Sequence, residues 1–451
     1  MRAGAWLLTS GCVLAFATTA ARAQTTIADA AANPQQTSVA ANIANICPRL
    51  GTAGGSAGTL PADEQDLFDR CNGVVTLANR GDLDEAAGAL GQIAAEEVLA
   101  QESVVNGTLA PQTRALAARL SALSGRAGAG QIAARDDGRQ RREPIYLAST
   151  EPVQITQNGA SLETESGIGL FVTGDYNFGN ADATDLEAGF DFDDISITAG
   201  GDYRLTDTVV LGAAGGYSNT EIDFDDDAGT LDGDGYTLSV YGIWNPTPQA
   251  GVSTYASFGQ VDYTSRRRLA FTDANGTIDR TAEGDTDADQ YEVTGSAYYD
   301  FVAGAWTYGP TLHLSYLRTE IDGFTEEGAQ GLNLTFEDQA AESVQTWLGA
   351  AVSRTFSTGF GVTVLQARAQ WIHEFADDSR TVDVRYAADP FTDSPTITLT
   401  TEDPDRNRGR IGAGASFVFP GGASGFLDAE TIVGHTDVES YTVTAGLRFT
   451  F

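Results

Sequence analysis

The chain has 451 residues, of which 62 are acidic and 26 basic, so its formal net charge is −36 at pH 7. A polyanion of this kind repels nucleic acid, which excludes a nucleic-acid-binding function, and it is equally unsuited to form a basic helix on a membrane surface. Its 51 glycines, 21 phenylalanines and 15 tyrosines are compatible with a β-rich protein. Composition alone is also compatible with a soluble protein that has an acidic surface. The positions of the acids along the sequence are therefore needed to distinguish a soluble protein from a membrane barrel.

Residues 1–23 have the features of a cleaved export signal. Arg2 supplies the positive charge, residues 5–17 are mostly small and apolar, and Ala21-Arg22-Ala23 is a small-x-small cleavage site. The mature chain is therefore predicted to begin near Gln24, in the periplasm. No other stretch reaches about 18 uninterrupted apolar residues, so no membrane-spanning helix is predicted.

Residues 24–110 are predicted to form a small, mainly helical region. Helical apolar spacing occurs in residues 62–78 and 83–105, and again beyond this region in residues 111–123. Helix breakers are predicted at Asn106-Gly107 and in the glycine-rich stretch 125–130.

Cys47 and Cys71 are the only cysteines of the predicted mature chain. An even pair in an oxidising compartment predicts one disulfide, with free thiols as the alternative. A zinc site is not predicted because the helical region contains no histidine. The acidic segments of the chain lack EF-hand spacing and are predicted to be solvated, so no metal or cofactor site is assigned.

Residues 111–160 are predicted to be a helical and then polar linker. The segment 111–126 is slender and rich in alanine, and it carries three arginines, Arg114, Arg119 and Arg126. Such a helix suits a narrow, acid-lined lumen as a plug, but a surface helix remains an alternative. The polar stretch 135–142 is an equally good candidate for the segment that enters the pore.

Residues 161–451 predict an all-β transmembrane barrel of about twelve antiparallel strands, preceded by the small, mainly helical N-terminal region. Alternation of period two is the pattern of a strand with two different faces. The alternating runs are roughly 167–178, 190–205, 208–224, 235–245, 251–271, 290–302, 305–321, 343–356, 359–375, 408–419, 424–434 and 438–451.

The connections between these runs alternate in length. Short turns are predicted near residues 206–207, 246–249, 303–304, 357–358 and 420–423. Long loops are predicted over residues 223–234, 266–289, 322–342 and 376–407. Outer-membrane barrels have short periplasmic turns and long external loops, and an even strand number puts both chain ends on the periplasmic side.

The charges fall on one face of the predicted strands. In the run 290–302, Tyr291 and Val293 are predicted to face lipid while Glu292 and Asp300 line the interior. A charge at the lipid midplane costs about 2–4 kcal/mol, which favours this orientation. The candidate lumen contacts are Arg114, Arg119, Arg126, Glu292, Asp300 and Arg368. Three tryptophans are predicted at the membrane interface, Trp244, Trp306 and Trp347.

Several motifs of the barrel region resemble the translocator domain of type V monomeric autotransporters. They are Gly200-Gly201-Asp202-Tyr203-Arg204-Leu205-Thr206-Asp207, Asp232-Gly233-Asp234-Gly235-Tyr236, Gly304-Ala305-Trp306-Thr307-Tyr308-Gly309-Pro310 and the ending Gly446-Leu447-Arg448-Phe449-Thr450-Phe451. The resemblance covers about residues 160–451. It implies a twelve-stranded barrel whose lumen holds a helix leading to an exported passenger.

The same resemblance implies how the barrel is assembled and where it resides. The expected partners are the barrel-assembly machinery, periplasmic chaperones, and outer-membrane lipid and lipopolysaccharide, with the protein itself a monomer. The expected assembly signal is the outward face of the last strand, formed by Tyr441, Leu447, Phe449 and Phe451. The predicted location is the outer membrane of a Gram-negative bacterium, with the N-terminal region at the cell surface.

Catalysis is not predicted. The G-x-S-x-G match at residues 54–58 has no strand leading into it, so the strained nucleophile turn is absent. All three histidines lie in the barrel region, at His313, His373 and His435. A barrel phospholipase based on His313 and Ser315 is the less favoured possibility, because alternation turns both side chains into the lumen.

The sequence therefore predicts a non-enzymatic outer-membrane autotransporter translocator that anchors and exports a short N-terminal passenger. The alternative is a structural or passive-channel barrel whose helical segment stays in the periplasm. The side of the membrane on which residues 24–110 lie separates these two hypotheses.

Overall fold

A computed structural model describes residues 27–57, 59–123, 167–420 and 423–450. The predicted signal peptide, most of the polar linker, Arg126 and the terminal Phe451 lie outside the described residues. Within the described part of the chain, no helix is long and apolar enough to cross a membrane.

Twelve antiparallel strands close into a barrel. In chain order they are β1 (Ile168–Ala181), β2 (Phe190–Thr206), β3 (Val209–Phe224), β4 (Gly229–Thr247), β5 (Ala250–Asp273), β6 (Gly276–Tyr299), β7 (Trp306–Ile321), β8 (Gln339–Thr358), β9 (Gly361–Glu374), β10 (Asn407–Val418), β11 (Ala423–Val433) and β12 (Val438–Thr450). The last strand pairs with the first, for example Leu447 with Val172. The segment Phe301–Ala303 continues β6 and pairs with the start of β7. The predicted fold class is confirmed.

Side chains alternate between the two faces of the wall as the sequence predicts. On β6, Tyr291 and Val293 are 43% and 52% exposed, whereas Glu292 between them is 6% exposed. The exposed face is apolar because lipid surrounds it, and closure of the sheet satisfies the backbone donors that lipid cannot.

One of the three girdle assignments is wrong. Trp244 and Trp306 are exposed on the outer face, but Trp347 points into the lumen. Its ring lies 5.7 Å from that of His313, and the Arg410 guanidinium lies 4.4 Å from it. The residue type suggested the interface, but alternation on β8, where Leu348 is 51% exposed, puts Trp347 inside.

Two of the predicted long loops are mostly strand. The segment 266–289 forms a hairpin in which Asp273 pairs with Gly276, and the segment 223–234 is strand apart from a turn at residues 225–228. Their charges suggested loops, yet the alternation continues: in the β5–β6 hairpin the inner-facing Leu269, Phe271 and Ile278 are buried. The strands therefore extend beyond the apolar band at the end of the barrel that carries the long connections.

The other two long connections, 322–342 and 376–407, build a small sheet above the barrel. It contains four short strands, Phe324–Thr325, Leu334–Phe336, Thr381–Tyr386 and Ile397–Thr400.

Four longer helices precede the barrel: α1 (Pro34–Ala57), α2 (Ala62–Arg80), α3 (Leu83–Ala94) and α4 (Gln101–Leu123). The sequence predicted α2 closely but missed α1, and the predicted break at Asn106-Gly107 is wrong because both residues lie within α4. The chain breaks instead over residues 95–100. The boundary set between residues 110 and 111 falls inside α4.

Residues 27–99, here called the helical cap, pack on the long-connection end of the barrel. The cap shares one apolar core with that end: Ile43, Leu67 and Leu90 of the helices cluster with buried side chains of the β5–β6 hairpin and the small sheet. The barrel-side members include Leu269, Phe271, Ile278, Phe336, Val384 and Leu399. Cys47 and Cys71 form a disulfide between α1 and α2, with their Cα atoms 6.0 Å apart.

The barrel lumen as the candidate functional site

The helix α4 leaves the cap and runs inside the barrel. It contacts β1 to β6, which form one half of the wall. Near its C-terminal end, Arg119 reaches Asp202, close to the short turn that joins β2 to β3. The helix therefore runs from the long-connection end towards the short-turn end.

Gln112 fixes the helix to the wall through three hydrogen bonds. Its amide nitrogen donates to Ser239 Oγ at 2.8 Å, and its amide oxygen accepts from Thr198 Oγ1 at 3.2 Å and from Thr237 Oγ1. Gly216 makes room for this contact, because a Cβ atom built there meets Thr237 Oγ1 at 2.7 Å and also collides with Gln112 Oε1. A buried amide bonded on both sides holds one orientation of the helix.

Thr113 binds the buried carboxylate of β6. Its hydroxyl donates to Glu292 Oε2 at 2.6 Å. The other carboxylate oxygen accepts from Tyr255 at 2.8 Å and Thr294 at 3.1 Å. Glu292 is thus solvated by hydroxyl groups of the helix and the wall, as a buried charge requires.

Two arginines of α4 pair with acids of the first two strands. Arg119 forms a buried ion pair with Asp202, and Arg114 Nε lies 3.7 Å from Asp175 Oδ1. The Arg119 guanidinium also lies 5.4 Å from the Phe171 ring.

The apolar side of α4 packs between these polar contacts. Leu116 and Leu120 are buried in a cluster with aromatic and aliphatic side chains of the wall. The wall members are Phe171, Val210, Ala214, Tyr241, Ile243 and Tyr255. The helix is therefore held by a small core as well as by charge.

The opposite wall of the lumen is rich in arginine. Arg368 on β9 forms ion pairs with Asp428 at 2.5 Å and Glu430 at 2.7 Å, both on β11. Arg410 on β10 lies 3.6 Å from Glu430. A cavity of about 270 Å³ lies between α4 and this wall.

Five of the six predicted lumen residues lie in the described part of the chain and line the lumen, but with partners other than those expected, and Arg126 lies outside the described residues. Arg114 and Arg119 pair with Asp175 and Asp202, whereas Glu292 binds Thr113, because the helix turns its threonine towards β6. Asp300 lines the cavity, and Arg368 pairs across the wall instead of with the helix.

Three important residues were missed, Gln112, Asp175 and Asp202. Alternation gives the inward direction of Asp175 on β1 and Asp202 on β2, so the same test that found Glu292 applies to both. Nothing in the sequence singles out Gln112, whose role depends on where α4 lies in the barrel.

Polar contacts outside the membrane also hold the cap on the end of the barrel. Asp66 on α2 pairs with Arg280 on β6 at 2.6 Å, and Arg70 pairs with Asp273 at 2.8 Å. Burial acts to raise the pKa of Asp66, but the Arg280 guanidinium together with the Gly331 backbone N–H and the Arg70 charge outweighs it, so the pKa lies below its usual value. Gln35 on α1 bonds both backbone groups of Thr400, at 2.6 and 3.0 Å.

The outer face of the last strand is apolar and exposed, and its role as an assembly signal stays a prediction. Tyr441, Leu447 and Phe449 are 44%, 52% and 45% exposed on one side of β12. Among the described residues, no group of three or more His, Cys, Asp or Glu side chains is placed to hold a metal ion.

A closed twelve-stranded barrel with an apolar outer face and a helix in its lumen defines the class of outer-membrane β-barrel proteins. A family model described as the autotransporter beta-domain matches residues 170–430. The chain therefore belongs to the autotransporter family, and its barrel is an outer-membrane translocator domain of a Gram-negative bacterium. The resemblance, the barrel and the translocator function predicted from the sequence are confirmed.

Curated relatives match part of the chain. The chain is 32% identical over 218 residues to an uncharacterized protein encoded in the trpE-trpG intergenic region of Pseudomonas putida, covering 46% of this chain and 34% of the relative. It is 26% identical over 208 residues to the esterase EstA of Pseudomonas aeruginosa, covering 44% of this chain and 30% of the relative. The chain thus spans about a third of the length of these relatives.

The fold is also that of a solved translocator. The translocator domain of the autotransporter NalP from Neisseria meningitidis matches with a TM-score of 0.50 and 14% identity. The match covers 63% of this chain and 89% of that chain. At this identity the likeness establishes the fold alone.

Proposed function

We propose that the helical cap is a short exported passenger that remains attached to the external end of its own barrel and, together with α4, closes the lumen. The observation that carries this proposal is the continuous path of the chain. The cap lies at the long-connection end, and α4 runs from it through the barrel towards the short-turn end, near which β1 begins.

The orientation follows from the general design of these barrels. Long connections face outward and short turns face the periplasm, and an even number of strands returns the chain to the side from which it started. The cap then lies outside the cell, and its export has brought α4 into the lumen.

The shared core supports permanent attachment. Burial of apolar area stabilises a folded structure by about 25 cal/mol per Å². Here the cap and the β5–β6 hairpin bury apolar side chains against each other. Leu269 of the hairpin is fully buried in this joint core, as is Leu90 of the cap. A released cap would expose one side of that core to water, so retention as a lid is favoured.

The proposed location is tested with an epitope inserted at the exposed turn between Gly81 and Asp82. We expect an antibody to label intact cells. A matched control carries the same epitope in the short turn at Thr206-Asp207, which is expected to be reached only after the outer membrane is permeabilised. Labelling of the second site but not the first would reverse the orientation and support the periplasmic alternative.

The other expected partners fit the same proposal. We propose that periplasmic chaperones and the barrel-assembly machinery handle the unfolded barrel, that lipid and lipopolysaccharide surround the folded one, and that it works as a monomer. A closed barrel has no free strand edge with which to associate, which supports the monomer.

A hydrolase is the second candidate function, because a relative is named as an esterase and because Ser296 Oγ and His313 Nδ1 lie 2.7 Å apart. This pair is in the lumen beside Trp347, away from lipid, so we propose that the chain is not an enzyme. We expect the purified protein to hydrolyse p-nitrophenyl butyrate no faster than its Ser296→Ala variant. Activity that disappears in that variant would favour the hydrolase.

A further inference from the structure

Glu97 lies where the cap, the β5–β6 hairpin and the β7–β8 connection meet. It belongs to a single 3-10 turn, Glu96–Ala100, that joins α3 to the lumen helix α4. The Glu97 side chain is buried, and its Oε2 atom has no hydrogen-bond partner among the described residues. The chain segment that connects α3 to α4 therefore contains a buried carboxylate that is incompletely bonded.

A single guanidinium, that of Arg267, lies near two carboxylates at this junction but hydrogen-bonds only one of them. Arg267 on β5 is 1% exposed and binds Glu326 twice, with Nε–Oε1 at 3.0 Å and Nη2–Oε2 at 2.7 Å. Its other bonds go to the backbone carbonyls of Gln92 at 2.9 Å and Leu332 at 3.3 Å. The donors of Arg267 are thus directed at Glu326 and at the backbone.

The charge count follows from these contacts. Ionised Glu97 gives the three buried groups, Arg267, Glu326 and Glu97, a net charge of about −1, whereas protonated Glu97 makes them neutral. A net charge removed from water is costly, and hydration in an open state relieves that cost.

The neighbouring titratable groups do not offset this charge. Glu96 accepts a hydrogen bond from Asn33 at 3.0 Å and adds further negative charge, and Tyr386 lies buried beside Arg267. Burial raises the pKa of Glu97 to about 7, against the opposing effect of Arg267. Burial also raises the pKa of Glu96.

The backbone at the junction is strained. Ala95, which ends α3, has a φ of 54°, in the left-handed region that residues with a Cβ atom rarely adopt. A strained residue beside a buried charge persists only while the surrounding contacts hold it. The junction is therefore a natural point at which the cap and α4 come loose together.

We infer that Glu97 is a proton-controlled latch: its protonated form keeps the cap and the upper end of α4 seated on the barrel, and its ionisation loosens them. This inference needs only the docked cap and not the side of the membrane on which the cap lies. It is therefore independent of the proposed export.

The direction of the pH effect follows from linkage. An acid whose pKa is higher in the docked state than in water favours docking while it is protonated. Opening should therefore increase as the pH rises from about 4.5, the ordinary value for this group, to about 7, and remain constant above that. The ideal slope in that window is tenfold per pH unit.

The test is hydrogen exchange of the α2 and α3 amides in the purified full-length protein, with rates divided by the intrinsic rate at each pH. From pH 5 to pH 8 we expect opening of the wild-type cap to increase by about tenfold or more. The Glu97→Gln variant should stay protected at both pH values. Its matched control, Glu85→Gln at an exposed site on α3, should behave as wild type.

A second variant keeps the test decisive if Glu97→Gln folds poorly. Glu326→Gln frees Arg267 to neutralise Glu97, so the change in opening between pH 5 and pH 8 should shrink to less than about threefold. A wild-type cap whose opening does not depend on pH overturns the inference. So does a Glu97→Gln or Glu326→Gln protein that retains the full wild-type dependence.

Discussion

At the scale of single residues, the lumen is organised by small side chains as much as by charges. Gly216 is a clear case, because the Gln112 amide occupies the space that a side chain would take. The Gln112 side chain itself forms hydrogen bonds with hydroxyl groups of two strands, β2 and β4. Loss of this contact would leave buried hydroxyl and amide groups unpaired, which costs about 1–3 kcal/mol per group.

We therefore predict that Gly216→Leu displaces α4 and raises ion conductance in planar bilayers. The leucine side chain cannot share the site with Gln112, and a displaced helix widens the water path. The matched control is Gly295→Leu, where a Cβ atom meets nothing within 4 Å. Equal conductance of the two variants would mean that Gln112 does not hold the helix in place.

At the scale of elements, the helical cap depends on its disulfide and on the barrel. The Cys47–Cys71 bridge ties α1 to α2 with a sequence separation of 24 residues. A disulfide that closes such a loop lowers the conformational entropy of the unfolded cap more than that of the folded cap, and it therefore stabilises the folded cap. The apolar core then joins both helices to the hairpin.

Mass spectrometry of non-reduced, alkylated protein should find Cys47 and Cys71 joined. We expect the double substitution of both cysteines by serine to destabilise the cap by about 3 kcal/mol, on chain-entropy grounds. Hydrogen exchange of α2 measures this loss, and the heat-modifiable mobility of the barrel serves as the control. Two free thiols in the wild-type protein would refute the bridge.

The β5–β6 hairpin is long, with 24 residues in each strand. The strands β5 and β6 continue far beyond the lipid-facing residues. Their inner face combines buried apolar side chains such as Leu269 and Phe271 with the paired charges of Arg267 and Asp273, while the charges of their outer face are mostly acidic. This arrangement gives the cap an apolar contact surface, pairs the buried charges and leaves the acids of the outer face in water. It also explains why a charged segment is a strand and not a loop.

At the scale of the whole molecule, cap, helix and barrel form one closed unit. The cap covers the long-connection end of the barrel, and α4 lies in the lumen against one half of the wall. Both N-terminal elements therefore stand in the path of ions. A barrel of this size without them should be an open channel.

Removal of residues 24–151, with the signal retained, should open a larger and salt-sensitive conductance in planar bilayers. The full-length protein should conduct poorly, because α4 narrows the pore and the helical cap covers its end. Folding of both proteins is verified by heat-modifiable mobility. If the two conduct equally, the N-terminal region does not plug the barrel and the passive-channel alternative gains support.

The sequence by itself determined the barrel, because alternation, turn spacing and lipid solvation act locally along each strand. Tyr291 and Glu292 show this: each residue's face follows from its position in the run. The alanine and arginine content of residues 111–126 predicted separately that this segment suits an acidic lumen. Sequence reasoning failed where residue type was trusted over alternation, as at Trp347, and where charge was taken to mean a loop, as in residues 266–289.

Only the tertiary structure decided which groups meet. The pairing of Arg119 with Asp202, the seat of Gln112 against Gly216, and the enclosure of Glu97 with Arg267 and Glu326 all join distant parts of the chain. Alternation fixes the direction of a side chain, but the rotation and depth of a helix inside a barrel depend on the sum of many weak contacts. Those contacts exist only after the wall has closed, which is why the local pattern could not specify them.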